Sequence, residues 1–131
     1  NKGEHKIEDL ENSGSVLGEF VPKSYRFYWT AAERGHNATF RLVPIIVLYE
    51  SEVGHKDGFW KAYLQFYPSK KVSSPTISVS NKLMYLNFSD RILDATMTLL
   101  DGGLESIEKI QIREQNGRTW GWITSPVNLI K

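Results

Sequence analysis

Residues 107–125, "IEKIQIREQNGRTWGWITS", decide the fold of this chain of 131 residues. At the centre lies Asn116-Gly117, a dipeptide that favours a two-residue hairpin turn because both of its residues accept positive φ. Before the turn, Ile110 and Ile112 alternate with polar residues, which is the period of a strand with one buried face. The segment therefore predicts an antiparallel hairpin whose isoleucine side points into a core.

The register of this hairpin puts two tryptophans on its polar side. Across a two-residue turn the predicted facing pairs are Lys109 with Thr124, Gln111 with Trp122, Arg113 with Trp120, Ile110 with Ile123 and Ile112 with Gly121. Since the isoleucines mark the core side, both indoles lie beside arginine and glutamine. Two interpretations stay open: the N-terminal arm, a helix or a second sheet covers this face, or the face is a contact surface.

The rest of the chain reads as further short strands between turn signals. Residues 16–30 are extended and broken at Pro22, residues 31–38 form a loop, and the apolar run 39–50 is interrupted by Pro44, which indicates a bulge or an edge strand. With roughly eight strands in all, the pattern predicts a mainly β protein, an antiparallel two-sheet sandwich, with a partly open β-barrel as the alternative.

One domain is expected over residues 16–131, preceded by an arm of residues 1–15. The arm is charged and ends in a Gly/Ser cluster, so it has little potential for burial and we expect it to be dispensable for folding. Its alternative is one short helical turn around Ile7 and Leu10.

Residues 92–100 are ambiguous between strand and helix. A helix here would have Ser89 or Asp90 as its N-cap and an apolar stripe at Ile92, Leu93, Thr96, Leu99 and Leu100. A strand is favoured by the two threonines and by the Asp-Gly-Gly turn that follows. We therefore expect a strand, with one short helix near residues 90–100 as the alternative.

Composition excludes several classes of protein. The net charge is +1, with 16 basic and 15 acidic residues, which makes nucleic acid a less favoured partner. Without cysteine, the chain cannot use disulfides, thiolate zinc sites or thiol catalysis. No apolar run reaches the roughly 20 residues of a membrane span. Because the chain begins at Asn1, we expect a processed protein that is secreted, periplasmic or on the cell surface.

No constellation of residues indicates catalysis. His5, His36 and His55 lack metal-ligand spacing, and no serine stands in a nucleophile motif. A small hydrolase is kept as an alternative only by Glu50, Glu52, Asp57 and the two loop histidines. We accordingly predict no enzyme, no catalytic residue, no metal and no cofactor.

Aromatic residues beside long polar side chains are the remaining functional signal. Residues 59–67, "FWKAYLQFY", alternate so that Lys61, Tyr63 and Tyr67 share one side. Rings next to such groups suit a protein or glycan partner, because tyrosine, tryptophan and arginine are frequent in binding hot spots. The predicted binding residues of this recognition module are Gln111, Arg113, Trp120, Trp122, Lys61, Tyr63 and Tyr67.

A binder of single-stranded nucleic acid, built on a β-barrel, is the first alternative function. It requires Lys61, Lys109, Arg113 and Arg118 to converge on one groove, and its affinity would fall steeply with salt.

Overall fold

The computed structural model describes residues 7–29, 43–128 and 130. The elements of this part of the chain are two α-helices, eight β-strands and two 3-10 turns. In chain order they are α1 Ile7–Glu11, β1 Ser15–Phe20, β2 Ser24–Tyr28, β3 Ile45–Tyr49, β4 Lys61–Tyr67, β5 Thr76–Ser78, β6 Leu83–Ser89, a 3-10 turn Asp90–Ile92, α2 Leu93–Asp101, a second 3-10 turn Leu104–Ser106, β7 Lys109–Gln115 and β8 Arg118–Thr124.

The strands form two sheets that pack together as a sandwich. One sheet has the order β1-β7-β8 and the other has the order β2-β3-β4-β6-β5. The predicted two-sheet sandwich is thus confirmed. The hairpin register is confirmed as well, since all five predicted pairs, including Gln111 with Trp122, face each other. Asn116 and Gly117 both have positive φ, 52° and 79°, as a type I′ turn requires.

The larger sheet is mixed and not purely antiparallel, because β4 and β6 run parallel. A hairpin around residues 80–82 pairs β5 with β6. After β4 the chain crosses to the sheet edge, forms the short β5 and turns back, so that β6 lies between β4 and β5. The order of strands is therefore set by this crossover, which the turn signals do not encode.

A single apolar core lies between the two sheets. Phe20, Ile110 and Ile112 enter it from the smaller sheet, and alternate residues of β4 and β6 enter it from the larger one. Phe20 stacks on Trp60 with ring centroids 6.4 Å apart, which ties the sheets together. Gly121 also lies at this interface, because a Cβ there would stand 3.1 Å from Leu86.

Residues 93–101 form a helix, so the expected strand is wrong and its alternative is correct. Ser89 caps the preceding 3-10 turn by accepting a hydrogen bond from the Arg91 N–H. The hydroxyl of Thr96 donates to the Ile92 carbonyl at 2.9 Å, which accommodates a β-branched residue inside a helix. Leu100 is fully buried in the core, and burial of this apolar stripe outweighs the preference of the two threonines for a strand.

The N-terminal segment is helical at α1, as the alternative for the arm predicted, and β1 begins at Ser15. Pro44 does not mark an edge. It directly precedes β3, an interior strand, and its carbonyl accepts the Phe66 N–H at 3.1 Å. The predicted loop 31–38 lies outside the described residues.

Candidate recognition surfaces

The predicted binding residues separate onto the two outer faces of the sandwich. Alternation of burial along β4, and of residue type along β7, sends their core residues inward and their polar and aromatic residues outward. The outer face of the smaller sheet, the tryptophan face, carries Glu19, Lys109, Gln111, Arg113, Trp120 and Trp122. The outer face of the larger sheet, the tyrosine face, carries Arg26, Tyr28, Tyr49, Lys61, Tyr63, Gln65, Tyr67, Tyr85 and Asn87 together with the apolar Ile45, Val47 and Leu83. Val47 and Tyr49, both on β3, are buried.

Gln111 lies at the centre of the tryptophan face and is only 4% exposed. Its amide nitrogen donates to a Glu19 carboxylate oxygen at 2.5 Å. Its amide oxygen accepts from the Trp122 indole at 3.1 Å and from the Arg113 guanidinium at 3.3 Å. Lys109 adds an ion pair to Glu19 at 3.6 Å. Gln111 and its neighbours therefore bind one another, whereas the buried Trp120 indole N–H has no hydrogen-bond partner among the described residues.

The N-terminal segment lies along the tryptophan face. The Arg113 Nε donates to the Ser13 carbonyl at 3.0 Å, and so the guanidinium is directed at the backbone and at Gln111. Two grooves lie between this segment and the indoles. One, of about 540 Å³, is lined by Glu11 and Asn12 together with Trp122. The other, of about 760 Å³, is lined by Leu10 and Ser13 together with Trp120. Both indoles are half-buried. Cover by the chain's own N-terminal segment explains the position of the tryptophans.

The tyrosine face collects five of the six tyrosines of the chain. Four neighbouring strands, β2, β3, β4 and β6, contribute them at outward positions. They are Tyr28, Tyr49, Tyr63, Tyr67 and Tyr85. Such clustering places large amphipathic side chains, each with a hydroxyl group, on one continuous sheet surface.

Pairing of β4 with β6 brings two of these rings together. Tyr63 faces Tyr85 in the parallel register, and their rings stack with centroids 5.1 Å apart and planes 10° from parallel. The Lys61 ammonium lies 5.2 Å from the centre of the Tyr63 ring, within the range of a cation–π contact. Tyr67 donates its hydroxyl hydrogen to Gln65 at 3.2 Å. These contacts hold the rings in fixed positions.

A second group, on β2 and β3, joins an arginine to two tyrosines. The Arg26 guanidinium donates to the Tyr28 hydroxyl oxygen at 3.3 Å. This bond, with further hydrogen bonding from Tyr49, lowers the pKa of Tyr28. Burial, followed by the hydrogen bond to Tyr28, raises the pKa of Tyr49, which is 5% exposed. Tyr28 is thus polarised as an acceptor.

The charge of the tyrosine face is entirely positive among the described strands. Arg26 and Lys61 supply cations, while no outward position of β2 to β6 holds aspartate or glutamate. Within the described residues neither cation takes part in an ion pair. Arg26, Tyr28 and Tyr85 were not among the predicted binding residues, although alternation assigns each to one side of its strand. Their place on this face depends on which strands are neighbours, and the local sequence does not encode that order.

The groove required for nucleic-acid binding is not formed. Lys61 projects from the tyrosine face, whereas Lys109 and Arg113 belong to the tryptophan face on the opposite side of the sandwich. The convergence that the nucleic-acid alternative requires is therefore not met by these cations, because β4 and β7 belong to different sheets.

The described residues kept for a hydrolase, Glu50, Glu52, His55 and Asp57, lie in the loop between β3 and β4. The Glu50 carboxylate accepts the backbone N–H of Trp60 at 3.0 Å and so closes the loop before β4. His55 and Asp57 form a solvent-exposed pair at 4.0 Å. His5 and His36 lie outside the described residues. In the described part of the chain, no three histidine, aspartate or glutamate side chains are grouped as metal ligands.

None of the helices in the described part of the chain has the length and apolar character needed to span a bilayer. Comparison of the chain with protein-family models, curated proteins and solved structures finds no match.

Proposed function

We propose that this chain is a non-catalytic recognition module that binds a protein partner through the tyrosine face. The observation that carries the proposal is the concentration of four accessible tyrosines, Tyr28, Tyr63, Tyr67 and Tyr85, with Arg26 and Lys61, on one outer sheet face. Tyrosine and arginine dominate binding hot spots because they bury large area at a small entropic cost and keep a polar end.

A protein partner fits this face better than a glycan. Sugar rings pack on an aromatic ring whose flat face is free. On the tyrosine face Tyr63 and Tyr85 stack on each other at 5.1 Å. Ring edges and hydroxyl groups are then left for a partner, and these suit the mixed apolar and hydrogen-bonding contacts of a protein interface.

The tryptophan face is the weaker candidate because Gln111, Arg113 and Trp122 are already hydrogen-bonded within the chain. Gln111 uses both ends of its amide in hydrogen bonds to Glu19, Trp122 and Arg113. A partner would have to displace the segment that ends at Ser13, at the cost of the contacts described above.

We propose that the module acts outside the cell, as a secreted, periplasmic or surface protein.

Site-directed photocrosslinking tests the proposal. A benzoylphenylalanine at position 65, on the tyrosine face, is compared with the same residue at position 118, at the exposed tip of the β7–β8 hairpin. We expect a discrete protein adduct, on intact producing cells or in their medium, from position 65 alone.

Affinity for the captured protein is then measured by calorimetry. Tyr63→Ala should weaken binding at least tenfold, as expected for a hot-spot residue, while Arg118→Ala leaves it unchanged. Equal adducts from both positions, or full affinity of a folded Tyr63→Ala variant, would contradict the proposal.

A further inference from the structure

We infer that the partner presents two carboxylate side chains to the tyrosine face, one for Arg26 and one for Lys61. This inference rests on the proposed function and specifies the chemistry of the partner. It follows from the charge of the face, from the positions of its two cations, and from the hydroxyl groups beside them.

The charge argument begins with what surrounds each cation. Arg26 and Lys61 lie on an outer face without aspartate or glutamate at any outward position of the described strands. Arg26 is exposed and Lys61 is half-exposed, so each can be reached by a partner. A carboxylate placed there gains charge-assisted hydrogen bonds without competition from an acidic neighbour.

Each cation also has a tyrosine beside it. The Arg26 guanidinium donates to Tyr28 at 3.3 Å, and the Lys61 ammonium lies 5.2 Å from the Tyr63 ring centre. These contacts reduce the freedom of two long side chains before binding, which lowers the entropic cost of a new ion pair. They leave further N–H donors of both cations free for a carboxylate.

Strand register fixes the distance between the two cationic positions. Arg26 pairs with Val47 and Lys61 pairs with Tyr49, on either side of β3. Two strand spacings across the sheet and two residues along it separate the Cα atoms by about 12 Å. An extended peptide covers this distance in about four residues. The expected partner motif therefore has two acidic residues four positions apart.

Two tyrosine faces packed against each other do not satisfy these requirements. Pairing two tyrosine faces would bring Arg26 and Lys61 against the same cations without a carboxylate from the described strands. Like charges at such an interface oppose association. The partner is accordingly a different protein with an acidic segment.

Three labelled peptides of 12 residues, built on a Gly/Ser background, probe the inference by NMR titration of the full chain. The first has two glutamates four positions apart, the second has glutamines at these positions, and the third has adjacent glutamates. We expect the first to bind most tightly, with shift changes confined to β2, β3 and β4. The double variant R26Q/K61Q should bind it at least tenfold more weakly. The matched variant K70Q/K71Q, which removes two exposed cations from a loop, should not.

The outcomes separate this inference from the proposed function. The acidic motif is overturned if the glutamine peptide binds with equal affinity or if the peptide with adjacent glutamates binds more tightly. If the shift changes still lie on the tyrosine face in that case, the recognition face stands. Shift changes on the tryptophan face overturn both. A heparin oligosaccharide that binds the same face more tightly than the first peptide overturns the choice of a protein partner.

Discussion

Replacement of Gln111 by methionine tests whether internal hydrogen bonds hold the tryptophan face together. Methionine has nearly the same volume and flexibility as glutamine, so the substitution removes the amide without opening a cavity. Three hydrogen bonds are lost, to Glu19, Trp122 and Arg113. Because Gln111 is 4% exposed, water cannot replace all of them in the folded protein.

The expected loss follows from the surroundings of each partner. The bond to the half-buried Trp122 indole should contribute about 1 kcal/mol, the usual net value for a neutral pair. Glu19 and Arg113 reach solvent and can be rehydrated, so their bonds should contribute about 0.5 kcal/mol each. The free energy of unfolding should therefore fall by about 2 kcal/mol, which lowers Tm by about 7 °C in a domain of this size.

Urea unfolding followed by circular dichroism measures this change. Gln115→Met, an exposed position on the same strand, is the matched control and should remain within about 0.5 kcal/mol of the parent. If the two variants unfold at the same urea concentration, the network does not stabilise the domain. Trp122 would then be available to a partner, and the preference for the tyrosine face would lose its main support.

Two further expectations concern the N-terminal segment and the tyrosine face. Deletion of residues 1–13 should lower the free energy of unfolding by about 1–2 kcal/mol, because Arg113 loses its carbonyl acceptor. The deletion should also increase acrylamide quenching of tryptophan fluorescence. Unchanged quenching would show that the segment does not cover the indoles. In a spectrophotometric alkaline titration, Tyr28 should ionise at lower pH than an ordinary tyrosine, since its pKa is lowered by Arg26. The Arg26→Gln variant should return this pKa towards the ordinary value. An identical titration curve for the variant would contradict the hydrogen bond.

The local sequence was sufficient to predict strand pairing where a turn dipeptide and an alternating pattern lie on strands adjacent in the chain. The Asn116-Gly117 turn fixes the register of β7 and β8, so the facing pairs could be predicted residue by residue. The same alternation placed Lys61, Tyr63 and Tyr67 on one side of β4, opposite the buried residues.

Local sequence failed where distant contacts decide the outcome. Thr96 and Thr98 argued for a strand, but a helix forms because it buries Leu100 against residues far away in the sequence. The parallel pairing of β4 with β6 likewise depends on the crossover through β5. Without that pairing, the stack of Tyr63 on Tyr85 could not be foreseen.

The two outer faces show why composition alone could not distinguish a covered surface from a free one. Both combine aromatic rings with arginine, lysine and glutamine. On the tryptophan face, Lys109 pairs with Glu19 and Arg113 donates to Ser13, so the chain itself supplies the complementary groups. On the tyrosine face, Arg26 and Lys61 contact tyrosines and form no ion pair with a described residue. A folded domain gains little stability from cations that have no anion beside them. The arrangement therefore favours a role in binding over a role in stability, and the anion it lacks defines the partner we propose.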